Sequence, residues 1–128
     1  MDAEATIESY YDAVRTGRPL SPYFLCEPTT VKFGIGERLT GYEAIETGLR
    51  TQTEITEGWV IESSRLAVVE RDSYAYFSDD VFMAWTDTES NIRYEFDTRW
   101  SGTLELRPDD RLETPWRFAC MHVSTEGK

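Results

Sequence analysis

The segment IRYEFDTRWSGTLELR, residues 92–107, alternates between two sets of positions. Tyr94, Phe96, Thr98 and Trp100 fall on one face of an extended chain, and Arg93, Glu95, Asp97 and Arg99 fall on the other. Turned toward a cavity, Arg99 flanked by Asp97 and Glu95 would hold an anionic or carbonyl-bearing ligand through charge-assisted hydrogen bonds, with Asp97 as proton donor or acceptor. Turned toward water, the same row is the solvated face of a sheet. A second cluster lies in YFSDDVFMAW, residues 76–85, where Asp79 and Asp80 are adjacent and therefore point to opposite faces. One of them enters the interior while the other meets solvent or a partner. Tyr76, Ser78 and Asp80 share a face, and Asp80 is the second candidate acid or base.

The single histidine, His122, stands two residues after Cys120 in WRFACMHVS, residues 116–124. One histidine excludes a His dyad, and a Cys and a His at i and i+2 are too few for a zinc site. No metal and no cofactor is expected.

These residues need a scaffold. AEATIESYYDAVRT, residues 3–16, carries Ile7, Tyr10, Tyr11 and Val14 at helical spacing, with Gly17 as a stop. Ser21 and Pro22 predict a short helical turn, with Ser21 as its cap. TTVKFGIG and ERLTG read as short extended pieces, and Thr40 as the cap of a second long helix that presents Tyr42, Ile45, Leu49 and Thr53 and is weakened by Gly48. From Gly58 onward every segment reads as strand: residues 58–72 with a bend at Ser63 and Ser64, residues 74–87, residues 92–107 and residues 116–124. Helices followed by a meander of long strands exclude a βαβ parallel sheet and predict an α+β domain, its helices packed on the concave face of a strongly curved antiparallel sheet.

A chain of 128 residues accommodates one domain, here 1–128 with a core over 4–124. Its formal charge of −11 opposes binding to nucleic acid and to anionic lipid. Lysine occurs only at Lys32 and Lys128, so arginine supplies almost all the positive charge. This acidic, lysine-poor balance resembles that of cytosolic proteins of salt-loving organisms and predicts stability that rises toward molar salt. The N-terminus has no basic region and no apolar run, so a cytoplasmic protein with no membrane segment is expected. In a reducing compartment Cys26 and Cys120 read as small buried hydrophobes.

The order of elements resembles the nuclear transport factor 2-like superfamily, and especially its SnoaL-like branch. The most specific stretch is TRWSGTLELRPDDRLETPWRFACMHVS, whose end is similar to the W-x-I-x-x-x-H-x-S pattern of the association domain of calcium/calmodulin-dependent kinase II. The resemblance implies a cone-shaped domain with a pocket between sheet and first helix, and a homodimer formed through the outer sheet faces. It implies activities as diverse as ketosteroid isomerase, polyketide cyclase, dehydratase and epoxide hydrolase, so the fold alone names no reaction.

Carried over by position, the resemblance turns Arg99 into the pocket with Asp97 and Glu95 beside it. Ser78 falls where a second pocket arginine would stand, with Tyr76 and Asp80 on its face. Val123 lines the pocket, which turns His122 and Ser124 toward the outer sheet. Tyr10 or Tyr11 resembles the isomerase tyrosine, but VKFGIG offers no carboxylate where that family places its base, which argues against isomerase chemistry. Tyr11 and Trp59 wall the pocket from the helix side, and the other tryptophans cover the curved sheet. The resulting expectation is a dimeric small-molecule-binding domain for a small polar or carbonyl-bearing ligand. The alternatives are a lyase, isomerase or hydrolase using Asp97 or Asp80 with Arg99, and a dimerisation module without ligand.

Overall fold

A computed structural model describes residues 1–126; Lys128 lies outside them. Asp2 opens helix α1 (Ala3–Thr16) by accepting the Ala5 N–H at 2.8 Å, and Gly17 closes it at φ 70°. Ile7, Tyr10, Tyr11 and Val14 are all buried, as their spacing predicts. A 3-10 turn over Ser21–Tyr23 starts from Leu20, so Ser21 lies inside the turn and not at its cap. Strands β1 (Val31–Gly34) and β2 (Glu37–Thr40) form a tight hairpin. Thr40 ends β2, and helix α2 (Tyr42–Ile55) begins from Gly41 with no side-chain cap bond. Gly48 sits where α2 crosses β2: a Cβ there would lie 2.7 Å from Leu39 Cδ1, so the residue that weakens the helix also lets it approach the strand.

The remaining strands are β3 (Thr56–Ser63), β4 (Ala67–Glu70), β5 (Tyr74–Asp87), β6 (Ile92–Leu106) and β7 (Trp116–Ser124). The break after Ser63 lets β3 pair with the second half of β5 and β4 with the first half. The sheet order is β2-β1-β7-β6-β5-β3, with β4 also on β5. One pairing departs from the antiparallel expectation, because β1 runs parallel to β7 with Lys32 opposite Met121. The chain is already aligned this way at Phe24, which bridges Phe118 in parallel before β1 begins. The sheet is therefore mixed, curved and open.

The concave face holds the core. Phe77, Val81 and Met83 of β5, Trp100 and Leu104 of β6, and Met121 and Val123 of β7 are buried under α1. Tyr10 meets the rings of Tyr23, Phe24 and Phe118 edge-on at 5.4, 5.9 and 5.2 Å, which ties the helix to both the 3-10 turn and β7. The loop between β6 and β7 is pinned by Asp109, which accepts from Arg111 and from the fully buried Arg117. Those guanidinium groups hold its carboxyl well below the usual carboxylate range. Cys120 is half-buried, whereas Cys26 is exposed, contrary to the expectation of two buried cysteines. No helix among the described residues is long and apolar enough to cross a membrane.

Candidate functional site

Burial of Lys32 begins with its register. It lies opposite Met121, whose side chain faces the core, and its exposure is only 7%. The β1–β2 turn supplies its partner. Gly34 pairs with Glu37, so their side-chain positions share a face, and a Cβ on Gly34 would come within 2.8 Å of Glu37 Oε1. The glycine leaves a space that the Glu37 carboxylate fills, and there Glu37 accepts a hydrogen bond from Lys32 Nζ.

This ion pair lines a cleft of about 180 Å³ between α1, the end of α2 and the sheet. Tyr10 of α1 lines the same cleft. Burial, with the nearby Glu37 charge as a second cause, raises its pKa far above the ordinary phenol value, so it stays protonated as a donor. The walls are Trp59, Trp85, Trp100 and Met83. Trp59 sits on a bulge in β3 after Gly58 and stacks on Trp85 at 4.9 Å and 18°. Its indole N–H is donated to Thr56 Oγ1 at 2.8 Å, which fixes the ring. An amine, a carboxylate and a phenol thus share an apolar, aromatic cleft: a cationic donor, a proton acceptor and a neutral donor.

Behind Trp100 lies a second buried polar group. Asp79 is 3% exposed and accepts from Tyr11 Oη at 2.8 Å, Ser63 Oγ at 2.6 Å and the Arg65 N–H at 3.0 Å. Burial and then the bond to Asp79 raise the Tyr11 pKa far above its usual value. Trp100, which lines the cleft, packs edge-on to Tyr11 at 5.2 Å, and neither Tyr11 nor Asp79 lines that cleft. With three donors already on the carboxylate, Asp79 acts as a structural acceptor.

A sequence model of the SnoaL-like domain matches residues 3–126. The chain belongs to the SnoaL-like domain family. A nuclear transport factor 2-like superfamily protein from Salmonella enterica superposes on this SnoaL-like chain with a TM-score of 0.79 at 17% identity, covering 97% of this chain and 88% of that one. A candidate dehydratase of the same fold from Streptomyces avermitilis gives 0.79 at 13% identity over 95% and 91%. A candidate calcium/calmodulin-dependent protein kinase II association domain from Xanthomonas campestris gives 0.71 at 18% identity over 98% and 86%. At these identities the likeness shows the fold. No curated protein matches the sequence at a significant level.

Within the SnoaL-like fold, the inward placement expected for strand β6 is corrected. Thr98 and Trp100 are buried, while Glu95, Asp97 and Arg99 are exposed on the outer face. Arg99 donates to Ser124 Oγ and the Thr125 carbonyl. The reason is register: Trp100 pairs with Val123 and Arg99 with Ser124, and directly opposed residues share a face. An inward Val123 and an inward Arg99 are therefore incompatible. On β5 the parity is likewise reversed, since Asp79 points in and Tyr76, Ser78 and Asp80 point out. His122 is exposed on the outer face beside Phe33, as expected from an inward Val123. Trp59 lines the cleft, whereas Tyr11 is turned to Asp79 and its place is taken by Tyr10. Lys32 and Glu37 went unmarked in the sequence. Their available signal was an isolated lysine in a lysine-poor chain, followed by G-I-G-E, a turn that sets Glu37 opposite a residue with no side chain.

Proposed function

We propose that this SnoaL-like domain binds a small organic molecule in the cleft under α1, its apolar body against Trp59, Trp85 and Trp100 and its carbonyl or other polar end toward Lys32, Glu37 and Tyr10. The observation that carries this reading is an open cleft, where tryptophans form walls and do not fill the space, with one half-buried ion pair at its side. A thermal-shift and tryptophan-fluorescence screen of small aldehydes, ketones and hydroxy-aromatics tests it. A saturable response is expected that Trp59→Ala weakens by about tenfold or more, the scale of one lost aromatic contact. A hit whose affinity is indifferent to Trp59 and Glu37 would contradict the reading.

The second reading is an enzyme, a lyase, isomerase or hydrolase on a small carbonyl compound. Glu37 supports it, because it brings to the cleft the carboxylate that β1 lacks. A dehydratase activity is given for the Streptomyces relative, as a candidate. Asp97, Asp80 and Arg99 would then serve a different surface. For that outer face we propose a homodimer contact: Tyr74 and Tyr76 are exposed there at 46% and 45%, and shallow concavities surround Arg99. Tyr76→Glu should halve the mass measured by light scattering; a wild-type monomer at high protein concentration would remove this part.

A further inference from the structure

Lys32 combines three properties. It is the only lysine among the described residues, where every other strongly basic side chain is an arginine. It is buried on the inner face, where a guanidinium could hold a charge but could not act as an amine nucleophile. Among the described residues its one side-chain partner is Glu37, in a cleft otherwise lined mainly by rings and aliphatic groups. A buried ion pair is a weak stabiliser, because desolvation offsets most of the attraction and a well-packed apolar pair would serve stability as well. The pair is better explained by chemistry that requires an amine next to a proton acceptor.

We propose that Lys32 is a nucleophile that holds a carbonyl-bearing ligand covalently as an imine, with Glu37 shuttling the proton. This rests on the cleft being the ligand site, as proposed above. The Lys32 ammonium passes a proton to the Glu37 carboxylate, and the freed Nζ lone pair attacks the carbonyl carbon. A C–N bond forms as the carbonyl π pair moves to oxygen. That oxygen takes the proton from Glu37, while the nitrogen returns one to the carboxylate, giving a neutral carbinolamine. Glu37 then protonates the hydroxyl, the C–O bond breaks, water leaves, and the nitrogen lone pair completes a protonated C=N bond. The sum is ammonium plus carbonyl giving iminium plus water, with charge conserved and no oxidant or reductant consumed. The Glu37 carboxylate remains as counter-ion, and the protonated Tyr10 phenol is available as a donor to the carbonyl oxygen.

The test uses the full chain, 2-naphthaldehyde and sodium cyanoborohydride, which delivers hydride to the imine carbon and leaves a stable secondary amine. Peptide mapping should place one adduct on Lys32, formed about 100-fold faster than on Lys128 or the Met1 amine, the lower end of what a positioned acid–base partner contributes. Glu37→Gln should slow adduct formation at saturating aldehyde by about 100-fold, as expected for loss of an acid–base group, a rate read at saturation and so separable from any change in aldehyde affinity. Lys32→Arg, which keeps the charge, should bind the aldehyde and give no adduct. Saturable fluorescence quenching with Lys32 labelled no faster than Lys128 would overturn the imine and leave the cleft reading standing. Neither quenching nor selective labelling, with any carbonyl probe in the screen, would overturn both.

Discussion

The inner and outer faces of this sheet carry the same kinds of charge and treat them differently. Inside, Lys32 and Glu37 have side-chain exposures of 8% and 30%. Outside, Arg65 and Asp80 stand 3.4 Å apart at 81% and 55%. A pair in water is screened and contributes little, whereas a pair against tryptophan has no other partner and is costly to break. The adjacent residues Asp79 and Asp80 make the contrast at single-residue scale, one fully hydrogen-bonded under α1 and the other in solvent. Composition says only that the chain is acidic. Only strand parity says which acid has consequences.

The largest effect should come from Asp79. Asp79→Ala strands the buried Tyr11 hydroxyl and should lower stability by about 2–3 kcal/mol in urea melts, whereas Asp80→Ala should stay within about 0.5 kcal/mol. Equal effects would erase the distinction between the faces. Next is the ion pair: Glu37→Ala leaves the Lys32 charge facing the cleft, with an expected loss of about 1–2 kcal/mol given the partial exposure of Glu37. The double change Lys32→Met with Glu37→Leu should recover most of that loss. A double variant as unstable as Glu37→Ala would make the pair a stability element and not a chemical one.

Smaller still, Asp97→Asn and Arg99→Ala should leave small-molecule affinity within about twofold, because neither touches the cleft. A tenfold loss in either would return the ligand to the outer face. The smallest effect concerns acid. Asp109 has its folded pKa held below the ordinary value, so its contribution is full above the usual aspartate range near pH 4 and fades as pH falls toward the folded value. Asp109→Asn should therefore flatten the loss of stability below about pH 4, read from melting temperatures. An unchanged acid limb would mean that the two arginines bind this loop without coupling to folding.

The elements were legible because their signals are local. Ile7, Tyr10, Tyr11 and Val14 mark α1, and the alternation of residues 92–107 marks β6, without reference to anything distant. Alternation gives two faces but does not say which is inside, and the choice for β6 depends on its neighbour β7. The Val123 position was sufficient to settle it once Trp100 was paired with it, and the outward row of Glu95, Asp97 and Arg99 follows from that pairing. Lys32 and Glu37 were illegible for another reason. They meet across a hairpin, over a glycine, and their chemistry comes from the absence of a side chain at Gly34.

The four tryptophans provide the most direct measurement, because Trp59, Trp85 and Trp100 line the cleft while Trp116 is buried in β7 away from it. In a 1H–15N spectrum titrated with a carbonyl-bearing aromatic, the indole resonances of Trp59, Trp85 and Trp100 should move together and that of Trp116 should stay. Shifts confined to the amides of Ser78, Asp80, Asp97 and Arg99, with all four indoles still, would place the ligand on the outer face and contradict the account.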